Sequence, residues 1–269
     1  CDIDYLTMDY LAEVTLSIMQ KQKNKNPKAG YALDFIRFLK IVMNDIKNKN
    51  VKIITNAGGV NPAECKKEII RLSKELGVNL KIAVISGDDI LSDLDNILSP
   101  ETPLKNLDTN QNLEEVSKNI CSANVYIDSF NISEALKLEA DIVLTGRVSD
   151  PGLALGPMIY EFKWNKNEHN KLAAGTLAGH ITECGAQCTG GNYTDWNNVP
   201  DLHNIGYPII NINNEGKFTI TKPQNTGGLI NRYTVSEQIL YEMGNPEKYI
   251  SPDVCVDFTS FTLKELDEN

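Results

Sequence analysis

Three times within its first 150 residues the chain runs from a short apolar stretch into a glycine-bearing turn, and that repeated step limits the fold more than any other feature. Val51 to Thr55 leads into Asn56-Ala57-Gly58-Gly59, Leu80 to Ser86 into Gly87-Asp88-Asp89, and Asp141 to Thr145 into Gly146-Arg147. Helical patterns separate these runs. Phe35, Phe38, Leu39 and Val42 recur at helical spacing within Tyr31 to Ile46, Asn61 and Pro62 read as the N-cap and first position of another helix, and Ser133 to Glu139 predicts a third. Ile3 to Leu6 and Ser122 to Ile127 read as further strands. A strand that returns through a helix lies parallel to the one before it, with helices covering both faces. The expected fold is α/β, with a doubly wound, mostly parallel, Rossmann-like sheet. Because the chain opens inside a strand-like pattern without Met, the first strand of that sheet is expected to be missing.

The pattern then shifts. From about residue 192 Asn-rich segments take over, and Ile209 to Ile212 faces Lys217 to Thr221 across Asn213-Asn214-Glu215-Gly216, a hairpin signal, before a helix expected from Thr234 to Met243. The chain is accordingly divided into a parallel-sheet α/β domain over residues 1–164 and an α+β lobe over 165–269 packed on it. Lys and Asn runs at 21–26 and 44–50 are expected in loops, and 99–119 reads as an inserted polar loop.

Charge and length narrow the partners. Twenty-six Lys and Arg against 36 Asp and Glu leave a net charge of −10, which repels a polyanion and argues against a nucleic-acid surface. No run approaches the roughly 18 apolar residues of a spanning helix. The six cysteines are scattered, most of them beside apolar or small residues, as reduced thiols are, so the expected compartment is the cytoplasm. What remains is a small-molecule site.

In a parallel sheet, ligands gather at the carboxyl ends of the strands. Asn56, Gly58 and Gly59 there can turn sharply and offer backbone N–H groups to an anion, or simply make a tight turn. Gly146, Arg147 and Asp150 combine a fixed cation with a carboxylate: Arg147 for a substrate carboxylate or phosphate and Asp150 as a base, unless the two only staple the loop. The densest segment is 175–191. Helical spacing sets Thr176, His180 and Glu183 or Cys184 on one face, and Gln187, Thr189, Gly190 and Gly191 follow in a glycine-rich stretch. His180 with Glu183 suits acid/base work and His180 with Cys184 an activated thiol, while His180, Cys184 and Cys188 at four-residue steps superficially permit zinc. The alternative is a satisfied helix histidine with inert cysteines. Lys222 in Thr221-Lys222-Pro223 is a candidate phosphate contact, and Asp88-Asp89 a helix cap or a ribose contact.

Taken in order, Asp9-Tyr-Leu-Ala-Glu13, Thr55-Asn-Ala-Gly-Gly59, Gly87-Asp-Asp89, Thr145-Gly-Arg-Val148, Leu172-Ala-Ala-Gly-Thr-Leu-Ala-Gly-His180, Glu183-Cys-Gly-Ala-Gln187, Thr189-Gly-Gly191, Asp195-Trp196, Thr221-Lys-Pro223, Thr226-Gly-Gly-Leu229 and Leu240-Tyr-Glu242 resemble the acyclic terpene utilisation family, the AtuA-type proteins. The resemblance covers nearly the whole chain. It implies a large α/β domain and a place in the breakdown of citronellol and geraniol through acyl-CoA intermediates, some members lying beside biotin-dependent acyl-CoA carboxylases and enoyl-CoA hydratases. It transfers no catalytic residue. The chain departs from the family in lacking a glycine-rich first strand and turn, and in Asp128-Ser129-Phe130 and Asp150-Pro151-Gly152.

The expectation is an enzyme acting on an acyl-CoA by lyase-type addition or elimination beside the thioester carbonyl, with CoA as part of the substrate and no other cofactor assigned. Glu183 or Asp150 would be the base, His180 its proton partner, Gly58, Gly59 and Gly146 amide donors, and Arg147 the grip on a carboxylate. Two alternatives stand beside it: a non-catalytic partner subunit of an acyl-CoA carboxylase-type complex, and a metal-dependent hydrolase on His180, Cys184 and Cys188. A homo-oligomer is compatible with each.

Overall fold

A computed structural model describes residues 3–97 and 104–266. In chain order the elements are β1 (Tyr5–Met8), α1 (Glu13–Lys25), α2 (Leu33–Lys49), β2 (Lys52–Thr55), α3 (Pro62–Leu76), β3 (Ile82–Ile85), α4 (Leu94–Ile97), α5 (Phe130–Lys137), β4 (Ile142–Thr145), α6 (Gly152–Phe162), α7 (His169–Glu183), β5 (Ile209–Ile212), β6 (Phe218–Thr221), α8 (Arg232–Leu240), β7 (Tyr249–Ile250) and β8 (Cys255–Val256). The fold is mixed α/β. Its central sheet has four parallel strands in the order β1-β2-β4-β3.

Period-two alternation explains why these strands read as unbroken apolar runs. Ile53, Ile142 and Leu144 pack with Phe35, Leu39 and Met43 of α2 and Ile69 and Leu72 of α3. Their neighbours Ile54 and Val143 face the other way, against Ile132 and Leu136 of α5 and Leu153 of α6. Helices therefore cover both faces, and each fully buried Ile or Leu contributes about 1.5–3 kcal/mol of transfer free energy.

Several sequence expectations shift. Ser122 to Ile127 is not a strand: Val125 N–H bonds the Asp88 carbonyl and Ile127 N–H the Arg147 carbonyl, so successive residues serve different partners and only isolated bridges form. The Lys and Asn runs at 21–26 and 44–50 lie mostly inside α1 and α2, because lysine is a good helix former and favours the last turn, where the carbonyl ends are unpaired. Asn61 and Pro62 do start α3, but Asn61 makes no cap: its amide donates to the Pro27 and Ala29 carbonyls, tying the preceding loop down. Asp89 is not the N-cap of the turn that follows, a place taken by Ile90; its Oδ1 accepts from Leu91 N–H in a local turn. Part of the 99–119 loop lies outside the described residues; from 104 it is a bridge and two short 3-10 turns.

The hairpin is β5 with β6, paired Ile209 to Thr221 through Ile212 to Phe218, its turn held by Asn213 Oδ1 accepting from Glu215 and Lys217 N–H. The expected helix after it is α8, shifted toward the N-terminus because Asn231 caps it reciprocally with Thr234. Leu177 and Ile181 of α7, Val235 and Ile239 of α8, and Val256 and Phe258 share one buried cluster. Another spans residue 164, joining Leu155, Met158 and Ile159 of α6 to Trp164 and Leu172. Asp253 fastens the C-terminal segment to α5, its carboxylate accepting from Ser129 N–H at 2.8 Å and Ser129 Oγ at 2.7 Å. Among the described residues no helix is long and apolar enough to cross a membrane.

Candidate functional site

Three separate stretches deliver acids to one rim of the sheet. β1 ends at Met8, so Asp9 stands just beyond its carboxyl end; Asp150 closes the loop that leaves β4; Glu183 is the last residue of α7. These three, with Thr7, Leu153, Ala154, Gly179 and Thr182, line a cavity of about 10 Å³, room for the centre of one water molecule.

Glycines permit this meeting. A Cβ at Gly179 would strike the backbone of Pro151, and one at Gly175 would meet Leu155, Trp164 and Met158, so α7 lies unusually close to α6 and its Glu183 end reaches the Asp150 loop. The glycines of Leu172 to His180 thus form a helix seam rather than a ligand loop. Gly58 and Gly59 likewise serve packing: a Cβ at 58 would hit the Thr145 carbonyl, Gly59 is left-handed at φ +54 against Met19, and its N–H is consumed by the Asn56 carbonyl. Gly146 is required because Asp88 packs directly on it while accepting from Arg147 N–H (2.8 Å) and Asn124 Nδ2 (2.9 Å).

Asn56 braces Asp9. Its Nδ2 donates to Asp9 Oδ1 at 2.7 Å, its own Oδ1 accepts from Tyr10 N–H at 2.7 Å, and Leu11 N–H adds a second donor to Asp9 at 2.9 Å. Arg147 is only 4% exposed and internally engaged: Nη1 donates to Leu11 O (2.9 Å) and Asp150 Oδ1 (2.5 Å), Nη2 to Tyr126 OH (3.0 Å) and Glu13 Oε1 (3.3 Å). The Tyr126 ring also lies 4.5 Å from the guanidinium carbon. Arg147 and Asp150 staple the loop, and Glu13 and Tyr126 are the partners near solvent.

His180 and Glu183 form a dyad whose protons can be deduced. The imidazole Nε2 lies 3.1 Å from the Ile239 carbonyl, which can only accept, so Nε2 carries hydrogen. Its Nδ1 is 2.8 Å from Glu183 Oε1, a contact that needs one further proton shared between ring and carboxyl. The ring is buried and stacked on Phe258 at 5.7 Å. Only Glu183 Oε2 is left over; it is buried and has no hydrogen-bond partner.

The acids are perturbed together. Burial pushes Glu183 up to about 7, the negative charges of Asp150 and Asp9 adding to it and His180 opposing. Asp150 rises to about 6 through burial and then the Asp9 charge, against the pull of Arg147. Asp9 is also raised, by burial, although Asn56, Leu11 and Arg147 favour its ionised form. For His180 burial opposes the charge, but the hydrogen bond and charge of Glu183 prevail and its pKa is raised. Two carboxyls on one cavity thus sit near neutrality, the range useful for proton transfer.

The remaining expected residues lie apart. Thr189 donates to the Gly206 carbonyl at 2.6 Å, Gly190 packs on Val199 and Gly191 on the Ala186 carbonyl, so 185–191 binds neighbouring loops; Gln187, its Oε1 buried without a partner, belongs to that turn. Lys222 Nζ donates to the Thr226 carbonyl at 2.7 Å and staples its own loop. Cys184 and Cys188 carry thiols pushed up by burial to about 11 and about 12, and among the described residues no three His, Cys, Asp or Glu side chains gather in a metal-binding arrangement.

Asp9 and Glu13 enter the sequence reading only as the ends of one family motif and Tyr126 only inside an expected strand, none of them as a site residue. Asp9 had a usable signal, a carboxylate directly after a parallel strand; Tyr126 had none, since it crosses from a segment that reads as a strand.

No curated protein and no solved structure matches the chain. The family model described as acyclic terpene utilisation family protein AtuA matches residues 1–269, the whole length. The chain therefore belongs to the AtuA family, and membership implies a role in acyclic terpene utilisation.

Proposed function

We propose that the protein is an enzyme of acyl-CoA breakdown, acting on the CoA thioester of an acyclic terpenoid or branched-chain acid by proton transfer beside the carbonyl, with addition or elimination across the neighbouring bond. The observation that carries this reading is the pair Asp150 and Glu183, two carboxyls near neutrality on the walls of one cavity. One takes a proton, the other steadies the exchanging group, and His180 holds Glu183 in place. CoA enters as part of the substrate. We also read the two-faced sheet as a doubly wound, Rossmann-like core, with residues from 165 onward as an α+β lobe that completes the site.

The test is exchange of the α-hydrogen of acyclic terpenoid and branched acyl-CoA thioesters in deuterated water. Asp150→Asn and Glu183→Gln are each expected to slow turnover by about 10²–10⁴-fold. Wild-type rates in both would remove the mechanism. A second reading, a docking subunit of an acyl-CoA carboxylase-type complex, draws on Trp196, Tyr207 and Tyr233, which stand more than half exposed and could anchor an interface. Co-purification with a carboxylase and no α-exchange by the isolated protein would favour it.

A further inference from the structure

We propose that the cavity between Asp9, Asp150 and Glu183 holds the single water molecule that the protein adds to, or removes from, an α,β-unsaturated thioester, so that the reaction is a reversible hydration. This rests on the acyl-CoA reading above and names its second reactant.

Size is the first argument. The cavity of about 10 Å³ admits one water-sized group and no carbon chain, so the organic substrate can only approach its mouth. The second is Glu183 Oε2: the side chain is 8% exposed and lines the cavity, Oε1 is committed to His180, and Oε2 has no partner. A buried carboxylate oxygen left without a donor carries an unrecovered desolvation cost, which a bound donor recovers. The third is the chemistry of the walls. Asp9, Asp150 and Glu183 offer acceptor oxygens, and Thr182 directs its own hydroxyl hydrogen to the Ala178 and Gly179 carbonyls, leaving only acceptor capacity. Walls rich in acceptor oxygens, with Glu183 Oε2 unpartnered, suit a small molecule with two O–H donors, and water is the one that fits this volume.

The geometry also divides the work. Asp150 is fixed through Oδ1 by Arg147, so its second oxygen is left to hold one O–H of the water. Glu183 Oε2 takes the other proton as the water oxygen bonds to the β-carbon and the C=C π pair moves toward the α-carbon and thioester oxygen. The same proton then passes from Glu183 to the α-carbon. One water is consumed, a β-hydroxy thioester forms, and the dyad returns to its starting state; dehydration is the reverse. His180 is a positioning residue throughout, its Nε2–H kept on Ile239.

The experiment offers purified protein the CoA thioester of a β-branched α,β-unsaturated acid in oxygen-labelled water, and the saturated counterpart in deuterated water. Label is expected in a β-hydroxyl product, alongside α-exchange. Glu183→Gln keeps a hydrogen bond to His180 Nδ1 but removes the base, and should lower label incorporation by about 10²–10⁴-fold. Alpha-exchange by the wild type without label would overturn the hydration proposal and leave the acyl-CoA reading standing; neither exchange nor label would overturn both. Label entering at an unchanged rate in Glu183→Gln would overturn the role of the cavity. If that variant does not fold, the wild-type labelling still decides.

Discussion

Replacing Gly179 by Ala isolates the contact that brings α7 onto the Asp150 loop. The new Cβ would lie 2.7 Å from Pro151 Cα and 2.9 Å from its carbonyl carbon, roughly 0.7 Å inside the 3.4 Å at which ordinary contact begins. The obstruction is backbone, so it cannot turn aside, and overpacking of this kind costs about 1–3 kcal/mol. Against it stands the helix-propensity gain of Gly to Ala, about 1 kcal/mol. Gly175→Ala is the internal control. Its Cβ meets the ends of Leu155, Trp164 and Met158, side chains that can rotate, so the propensity gain survives there to a larger degree. Gly179→Ala should therefore be less stable than Gly175→Ala by about 1–3 kcal/mol in denaturant titrations. Activity should fall more in the first variant, because shifting α7 carries Glu183 away from Asp150. Equal stability of the two variants, or a stabilised Gly179→Ala with full turnover, would refute the seam.

Two further outcomes follow from groups already described. Asp150 and Glu183 have folded-state pKa values raised from 3.8 to about 6 and from 4.5 to about 7, so the folded chain holds their protons more tightly than the unfolded one. Stability is then expected to decline as pH rises from about 4 to about 7, a loss that the raised His180 reinforces above its ordinary 6.5. Glu183→Gln should flatten this slope in melts run across that window, and an unchanged slope would count against the buried acid. Asn231→Ala removes the oxygen that accepts from Tyr233 and Thr234 N–H at the start of α8, and should cost about 1 kcal/mol in a denaturant midpoint.

Sequence patterns revealed the sheet where burial leaves no choice. β2 and β4 are apolar on both faces because α2 and α3 cover one side and α5 and α6 the other, so their runs could not be mistaken for polar loops. Ser122 to Ile127 ends in a strand-like Val125-Tyr126-Ile127 run but spends its backbone on three separate partners, which no periodicity records. At the site, Asp150 and Glu183 were legible from strand-end position and helical spacing. Asp9 was not, since a strand read over Ile3 to Leu6 rather than Tyr5–Met8 leaves it two residues adrift in a loop. The glycine-rich 185–191 stretch reads differently for the opposite reason: its backbone and Thr189 bond within the turn and to neighbouring loops, a use of glycine that looks identical to ligand binding in one dimension.

The dependence of the cavity on three distant stretches also sets when the protein becomes competent during synthesis. Asp9 is made directly after β1, whereas Glu183 follows only after the whole central sheet has been made. At about 5–20 residues per second that interval lasts roughly ten seconds or more. A nascent chain released before α7 would carry Asp9, Arg147 and Asp150 without the helix that packs on their loop, so a truncated product should be more readily cut by proteases.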